Sequence, residues 1–449
     1  MPENPQLPLS YRSELLGRVM SSLQAGECCA LVGVSGVGKS NLAHFLARRD
    51  VQAAYWHTDT IWLVLIDTHS LVFADQPAEF VIPELMIHRL IIEAERRGLP
   101  AEFISWANDL HSRLILQPNS YLALRYLERL CARLCEAYEY TIMFVFDQFE
   151  DIWQTVDARL FLNLRGLRDQ FKYSVTYLVI TRQLLQYTRG DQQATEAFWE
   201  LFASHTYGLG MYSSADAQLM LERLAERRAL EADPALLEAI AGAAGRHPGI
   251  MRALFWELAQ HTTAAHDLQA MLAFPAVAQE CAKIWNDLTP DEQTLLRLLA
   301  AGSPLPQHGD PSILRDLELR ELIGGDPPVL FSPLFQHYIA HVGSLDMGGI
   351  VVAPQLRQVW RDGQLLARSL TPLEFKLLAF LARNAGTVCS RDTLIHELYG
   401  EHEHDANDER LDNVLRRLRD ALGEDVRNPR YLITHRGAGV QLTRGRVQE

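Results

Sequence analysis

The stretch that most limits what this chain can fold into is Gly-Val-Ser-Gly-Val-Gly-Lys-Ser, residues 33–40, directly behind the apolar run Cys28–Val32. Glycines at 33, 36 and 38 let the backbone turn without Cβ collisions, so that amide N–H groups and the N-terminus of a following helix face an anion. Lys39 then reaches the outer phosphate oxygens, and Ser40 is placed to ligate Mg²⁺. The preceding run has strand length, and residues 41–49, NLAHFLARR, have the spacing of a helix. Strand, glycine loop and helix together make a grip for ATP or ADP, with Gly33, Gly36, Gly38, Lys39, Ser40 and Asn41 as its contacts.

A phosphate grip of this kind needs a second, acidic strand end to hold the metal. Residues 140–151, YTIMFVFDQFED, supply an apolar run ending in Asp147, the second Mg²⁺ ligand in this reading. Glu150, three residues on, is the candidate base that polarises an attacking water. Glu150 and Asp151 also suit the first turn of a helix, where acidic groups complement the dipole. Further strand-like runs at 61–69 and 175–182 alternate with helical patterns at 80–97 and 158–171, which predicts an α/β fold with a mostly parallel sheet covered on both faces. Arg182, at the end of the strand after Asp147, is directed toward the nucleotide and is a candidate sensor of the γ-phosphate.

The rest of the sequence bounds the setting. A length of 449 residues allows roughly three or four domains, and 48% hydrophobic against 22% charged residues is globular composition. The start, MPENPQLPLS, lacks the basic-then-apolar order of a secretory signal, and no run is long enough for a membrane span, so a cytoplasmic setting is expected. Cys28–Cys29 and Cys131–Cys135 sit in apolar contexts that suit packing rather than a disulfide framework. His402, His404 and Asp405 lack a second ligand pair and are read as a polar loop rather than a metal site.

Several segments resemble the STAND class of P-loop ATPases, signalling relatives of the AAA+ proteins. YRSELL, residues 11–16, is similar to the aromatic-x-Arg-x-Glu segment that borders the base; DQFED, 147–151, resembles the DQFEE form of the acidic strand end; ITR, 180–182, resembles the sensor arginine; GRHPGIMRAL, 245–254, is similar to the Gly-x-Pro region of the helical lid. The resemblance implies nucleotide contacts at Arg12, Arg182 and Pro248. It also implies a winged-helix element over about residues 281–342, in which Thr289 and Glu292 make a capping box. His337 is the nearest match there to a phosphate-contacting histidine, although the Met-His-Asp triplet is absent. No repeat of 20 to 50 residues of the sensor-array kind is present.

Residues 370–442 carry a different signature. LTPLEFKLLAFLARNAG places Leu373, Leu377, Leu378 and Leu381 on one helical face, Ser390 opens a second helix, and ERLDNVLRRLRDALG puts Leu411, Val414, Leu415 and Leu418 inside with arginines elsewhere. The run YLITHRGAGVQL then reads as a hairpin with a basic tip. Three helices and a hairpin make a winged helix-turn-helix, whose third helix enters the major groove while the wing reaches the minor groove. With the small-sheet run IVVAPQLRQVWRDGQLLARSL before it, the segment closely resembles the OmpR/PhoB-type effector domain. The residues assigned to DNA are Asn413, Arg416, Arg417, Arg419 and Arg436, since an arginine fork pairs with guanine edges or clamps phosphate. The acidic loop EHEHDANDE, 401–409, corresponds to a segment linked with polymerase contact in relatives, and Val440 stands where they usually have tyrosine.

The net charge of −14 is uneven: residues 346–449 hold 15 Lys+Arg and 15 Asp+Glu, leaving 27 and 41 upstream. An electrically balanced reader binds DNA weakly alone, so assembly is expected to supply avidity. The domains expected are a P-loop domain at 1–210, a helical lid at 211–277, a winged-helix domain at 278–345 and the DNA reader at 346–449. The expected function is an ATP-regulated DNA-binding transcriptional regulator, closed with ADP and forming a homo-oligomer with ATP, slow as an ATPase, and answering an unknown protein or small-molecule trigger. The alternatives are a STAND-type defence ATPase using the tail to bind protein, and an AAA+-like DNA-remodelling ATPase.

Overall fold

The long apolar runs are uninterrupted rather than alternating, the pattern of strands buried on both faces. In the computed structural model they form β1 (Cys29–Val32), β2 (Ile61–Asp67), β3 (Thr141–Asp147), β4 (Val175–Thr181) and a short β5 (Thr206–Gly208), one parallel sheet in the order β2-β3-β4-β1-β5. The described residues are 7–68, 76–189, 191–228, 233–258, 267–303, 311–343, 349–354, 357–361, 364–366, 368–400, 408–424, 429–435, 438–443 and 445–447. They fall into two compact units: residues 1–220 with 247–249 and 310–325, and residues 221–246 with 250–309 and 326–449.

In the first unit α1 (Ser13–Gln24) precedes β1, and α2 (Lys39–Leu46) and α3 (Arg49–Tyr55) follow it. Between β2 and β3 lie α4 (Ala78–Arg96), α5 (Ala101–Leu116) and α6 (Ser120–Ala132); between β3 and β4 lie α7 (Phe149–Thr155) and α8 (Ala158–Gln170); α9 (Gln192–Trp199) leads to β5. Rings of Phe146, Phe149, Trp153, Phe161 and Phe198 pack at 4.8–6.1 Å between centroids and join the side chains of β3 to the helices over it. Register aligns the strand ends, Asp67 with Asp147 and Val32 with both Thr181 and Gly208. These carboxyl ends share one rim. Because β1 lies between β4 and β5 while its successor β2 is at the far edge, the crevice where the order reverses opens at the end of β1.

Helices continue the chain as α10 (Ser214–Arg228), α11 (Pro234–Ala243), α12 (Pro248–Leu258), α13 (Leu268–Leu272), α14 (Pro275–Asn286), α15 (Pro290–Ala300), α16 (Pro311–Leu319) and, past short strands β6 (Ile323–Gly324) and β7 (Val329–Leu330), α17 (Pro333–Gly343). The Thr289 capping box expected at α15 is formed, with Glu292 Oε2 accepting from Thr289 N at 2.8 Å. His337 lies half-buried on α17. No helix among the described residues is long and apolar enough to cross a membrane.

The tail has a core of its own, built from Ile350, Val352, Leu377, Leu381, Leu394, Leu411, Leu415, Leu418 and Leu442 among others. Strands β8 (Ile350–Ala353), β9 (Gln358–Arg361) and β10 (Gln364–Leu365) precede α18 (Pro372–Arg383); β11 (Val388–Cys389), α19 (Arg391–Tyr399) and α20 (Asp408–Leu422) follow; β12 (Leu432–His435), β13 (Gly439–Leu442) and β14 (Gly445–Val447) end it. A second capping box, Thr371 with Glu374, starts α18, and Arg368 Nη2 donates to the same buried carboxylate at 3.0 Å. The sheets are β10-β9-β8-β14 and β11-β13-β12. The sequence reading foresaw the hairpin β12/β13 but neither β11 nor β14, which are two and three residues long and too short to show a period.

Candidate functional site

Every carbonyl of the loop 33–38 is met by a donor. Lys39 Nζ donates to Gly33 O at 2.8 Å and Val34 O at 3.1 Å; Ser35 O accepts from His247 Nε2 at 3.0 Å and Gly36 O from Gly249 N at 3.0 Å; Val37 O accepts from Arg12 Nη2 at 2.9 Å and Gly38 O from Leu42 N at 3.0 Å. In a trans peptide the N–H lies opposite the carbonyl, so fixing the carbonyls of Ser35 and Val37 turns the amides of Gly36 and Gly38 the other way, while Gly33 N donates to Thr181 O at 3.0 Å and Val37 N to Val34 O at 3.4 Å. Gly36 (φ 79°) and Gly38 (φ 99°) take the left-handed conformation that this path requires. Gly33 is needed for another reason: a Cβ there would lie 2.6 Å from Leu209 O. Gly38 is the N-cap of α2, whose first residues are Lys39, Ser40 and Asn41; Ser40 is half-buried and Asn41 exposed.

Arg12 is buried and braces the loop. Besides Val37 O, its guanidinium donates to Gly210 O at 2.9 Å and lies 4.7 Å from the Tyr212 ring centroid. Tyr11 and Tyr212 join hydroxyls at 3.3 Å, and both hydroxyls lie under 4 Å from where a Gly38 Cβ would be. Where the sequence suggested contact with the base, this side chain is seen holding two backbone carbonyls. Tyr212 and His247 escaped the sequence reading, as neither belongs to a local pattern; the proximity of His247 to Pro248 was the one available signal. Pro248, buried, is the first residue of α12 and stands between the two residues bonded to the loop.

At the acidic rim Thr68 Oγ1 donates to Asp147 O at 2.8 Å and Gln148 O at 3.1 Å, pinning the end of β3 beside β2. Asp147 is 6% exposed, and its Oδ1 has no hydrogen-bond partner among the described residues. Glu150 is in the first turn of α7, as the helix-start reading had it, with Oε1 accepting from Arg182 Nε at 2.5 Å and Oε2 without a hydrogen-bond partner among the described residues. Burial pushes the Glu150 carboxyl above the ordinary carboxylate range, opposed by the charges of Arg182 and Lys39. Buried carboxylate oxygens lacking donors suit a hard cation and an ordered water. Asp147 with Ser40 would hold Mg²⁺. Arg182 is directed to Glu150 and, through Nη2 at 3.2 Å, to Asp151.

In the tail, α20 buries Leu411, Val414, Leu415, Leu418 and Leu422 and exposes Asn413, Arg416 and Arg417, with Arg416 Nη2 donating to Asn413 Oδ1 at 3.2 Å. Arg419 is half-buried and turned to the hairpin, donating to Thr434 Oγ1 at 2.7 Å and Leu432 O at 3.3 Å. Its position ties the third helix to the wing. Arg391 at the start of α19 bridges Asp408 and Asp412 at 2.6 and 2.7 Å, fixing the angle between α19 and α20. Arg436 lies outside the described residues, as do His402, His404 and Asp405. Among the described residues no group of three or more His, Cys, Asp or Glu could hold a metal ion by themselves.

Residues 367–442 match the family described as transcriptional regulatory protein, C terminal. Over 96 residues the chain is 41% identical to the DNA-binding response regulator MtrA of Mycolicibacterium smegmatis, covering 21% of this chain and 40% of that protein. The chain thus spans about two-fifths of the length of the curated relatives it matches. Among solved structures, the RstA DNA-binding domain of Klebsiella pneumoniae in complex with the RstA box is 30% identical over 22% of this chain and 95% of its own, with a TM-score of 0.20. The Walker-type ATPase PABY2304 of Pyrococcus abyssi covers 73% of this chain and 95% of its own at 14% identity, with a TM-score of 0.48. The chain therefore carries an OmpR/PhoB-type effector domain behind an α/β unit with a P-loop and a parallel sheet.

Proposed function

We propose that the chain is a transcriptional regulator in which a nucleotide switch controls a winged-helix reader of double-stranded DNA. The observation that carries this reading is the loop 33–38, all of whose carbonyls are met by donors, with the amides of Gly36 and Gly38 turned away from the fixed carbonyls of Ser35 and Val37, on a chain that also bears the regulator domain. Arg416, Arg417 and Asn413 on the exposed face of α20 would read bases or clamp phosphates, and Arg436 would enter the minor groove. Balanced charge in the tail argues that one copy holds DNA weakly; a STAND-type ATP form that assembles would multiply occupancy by avidity, on the order of a hundredfold.

Hydrolysis would reset the switch slowly. Lys39 would compensate phosphate charge, and Mg²⁺ on Ser40 and Asp147 would neutralise the charge that develops between the β- and γ-phosphates. Glu150, once released by Arg182, would orient a water and accept its proton. The test is recovery of genomic fragments in ADP, ATP and a non-hydrolysable analogue, beside Lys39→Ala and Arg416→Ala. Discrete sites that depend on ATP and on both residues support the proposal; fragments recovered equally in all nucleotide states and by both variants would sink it.

A further inference from the structure

We infer that His247 is a positioning residue of the phosphate grip, setting the loop's shape before any nucleotide arrives; this rests on the nucleotide-binding reading above. His247 is fully buried, and its Nε2 stands 3.0 Å from Ser35 O. An imidazole nitrogen facing a carbonyl must carry the proton, so the Nε2–H tautomer or the charged ring is required there. Two residues on, Gly249 N donates to Gly36 O at 3.0 Å. That amide is in the first turn of α12, one of the orphan donors of a helix start, and the loop satisfies it. Pro248 between them has no N–H and a fixed φ, which holds the two donors at a set spacing.

The consequence follows from loop entropy. Gly36 and Gly38 make the apex the most conformationally free part of the grip, and freedom surrendered on binding is subtracted from affinity. His247 and Gly249 fix successive peptide planes, 35–36 and 36–37, through their carbonyl oxygens. The imidazole thus acts on nucleotide through the loop and not by contact.

The test compares His247→Met, which keeps bulk and loses the donor, with His247→Gln, whose amide reaches the position of Nε2. Two quantities are read on the full chain: release of fluorescent ADP and ATP, and amide hydrogen exchange over residues 33–40 without nucleotide. The expected result is about tenfold faster release and faster loop exchange in His247→Met, and recovery of most of both losses in His247→Gln. A stably folded His247→Met with wild-type release and wild-type loop exchange overturns the inference. Should His247→Met unfold, His247→Gln against His247→Asn decides, because the shorter amide falls short of Ser35; equal loop exchange in the two overturns it. Failure of the wild type to bind either nucleotide, with Lys39→Ala indistinguishable, overturns the nucleotide reading instead, and the exchange measurement still decides whether His247 orders the loop.

Discussion

Arg182 and Glu150 form a tight pair across the end of β4 and the start of α7, with Nε 2.5 Å from Oε1 and Nη2 3.2 Å from Asp151 Oδ1. The candidate sensor therefore holds the candidate base. A γ-phosphate is the stronger partner for a guanidinium, so its arrival would draw Arg182 off and expose Glu150 at the moment substrate is present. Glu150→Gln is expected to bind ATP normally and to hydrolyse it about a hundredfold or more slowly. Arg182→Ala is expected to bind ADP unchanged and to lose preference for ATP. Phosphate release under single turnover and competition between the nucleotides check both; an Arg182→Ala protein with wild-type ATP preference removes the sensor role.

Glu150 also predicts a pH dependence of stability. Its carboxyl is raised by burial, so the folded state keeps the proton longer than the unfolded state. Across that window the unfolded chain binds fewer protons, and the contribution of this group to stability falls as pH rises through and above the carboxylate range. Glu150→Gln, neutral throughout, is expected to unfold at higher denaturant concentration than wild type at about pH 7 and to coincide with it near pH 4. Urea midpoints at the two pH values are the measurement, and a Gln variant less stable at neutral pH contradicts the direction.

Close approach predicts a third outcome. At Gly208, the last residue of β5, a Cβ would lie 1.5 Å from Leu319 O, and at Gly210 one would lie 2.0 Å from Glu321 Cδ. Glu321 Oε2 accepts from Met211 N at 2.8 Å, so residues 319–321 are seated on the segment whose Gly210 O receives Arg12. Gly208→Ala should force a backbone shift and cost about 2 kcal/mol or more of stability, where Gly17→Ala, with nothing within 4 Å, should cost nothing and gain helix propensity. Thermal or chemical denaturation of the two variants reads the difference.

How much of this could be read in the sequence depended on distance along the chain. The phosphate loop, Asp147 and the α20 pattern were legible because each is a local run whose chemistry and period lie within about ten residues. The sheet order followed only in class: alternation announces a parallel sheet, while the placing of β1 between β4 and β5 depends on crossovers that carry no local mark. His247, Tyr212 and Glu321 were illegible for the same reason. Their partners are Ser35, Tyr11 and Met211, from 110 to 212 residues away, and no spacing rule connects them. Arg182 was legible as a strand-end arginine, but its commitment to Glu150 needed the packing of α7 beside β4.

In the tail the arginines of α20 separate into two kinds by what they touch. Arg416 and Arg417 are exposed on the outer face, whereas Arg419 donates to Thr434 and Leu432 of the hairpin. Loss of an outer arginine should weaken DNA binding without changing the fold, lowering the slope of log K against log salt by about one where it clamps phosphate, and costing about 1–3 kcal/mol at one base position where it reads a base. Loss of Arg419 should act through structure: the wing loosens, stability falls by about 1 kcal/mol, and binding weakens at all sequences together. Titrations of Arg416→Ala, Arg417→Ala and Arg419→Ala on the same DNA at several salt concentrations, beside their melting curves, separate the two routes. If Arg419→Ala melts like wild type while its salt slope falls by about one, the residue is a phosphate contact and its bond to Thr434 is incidental.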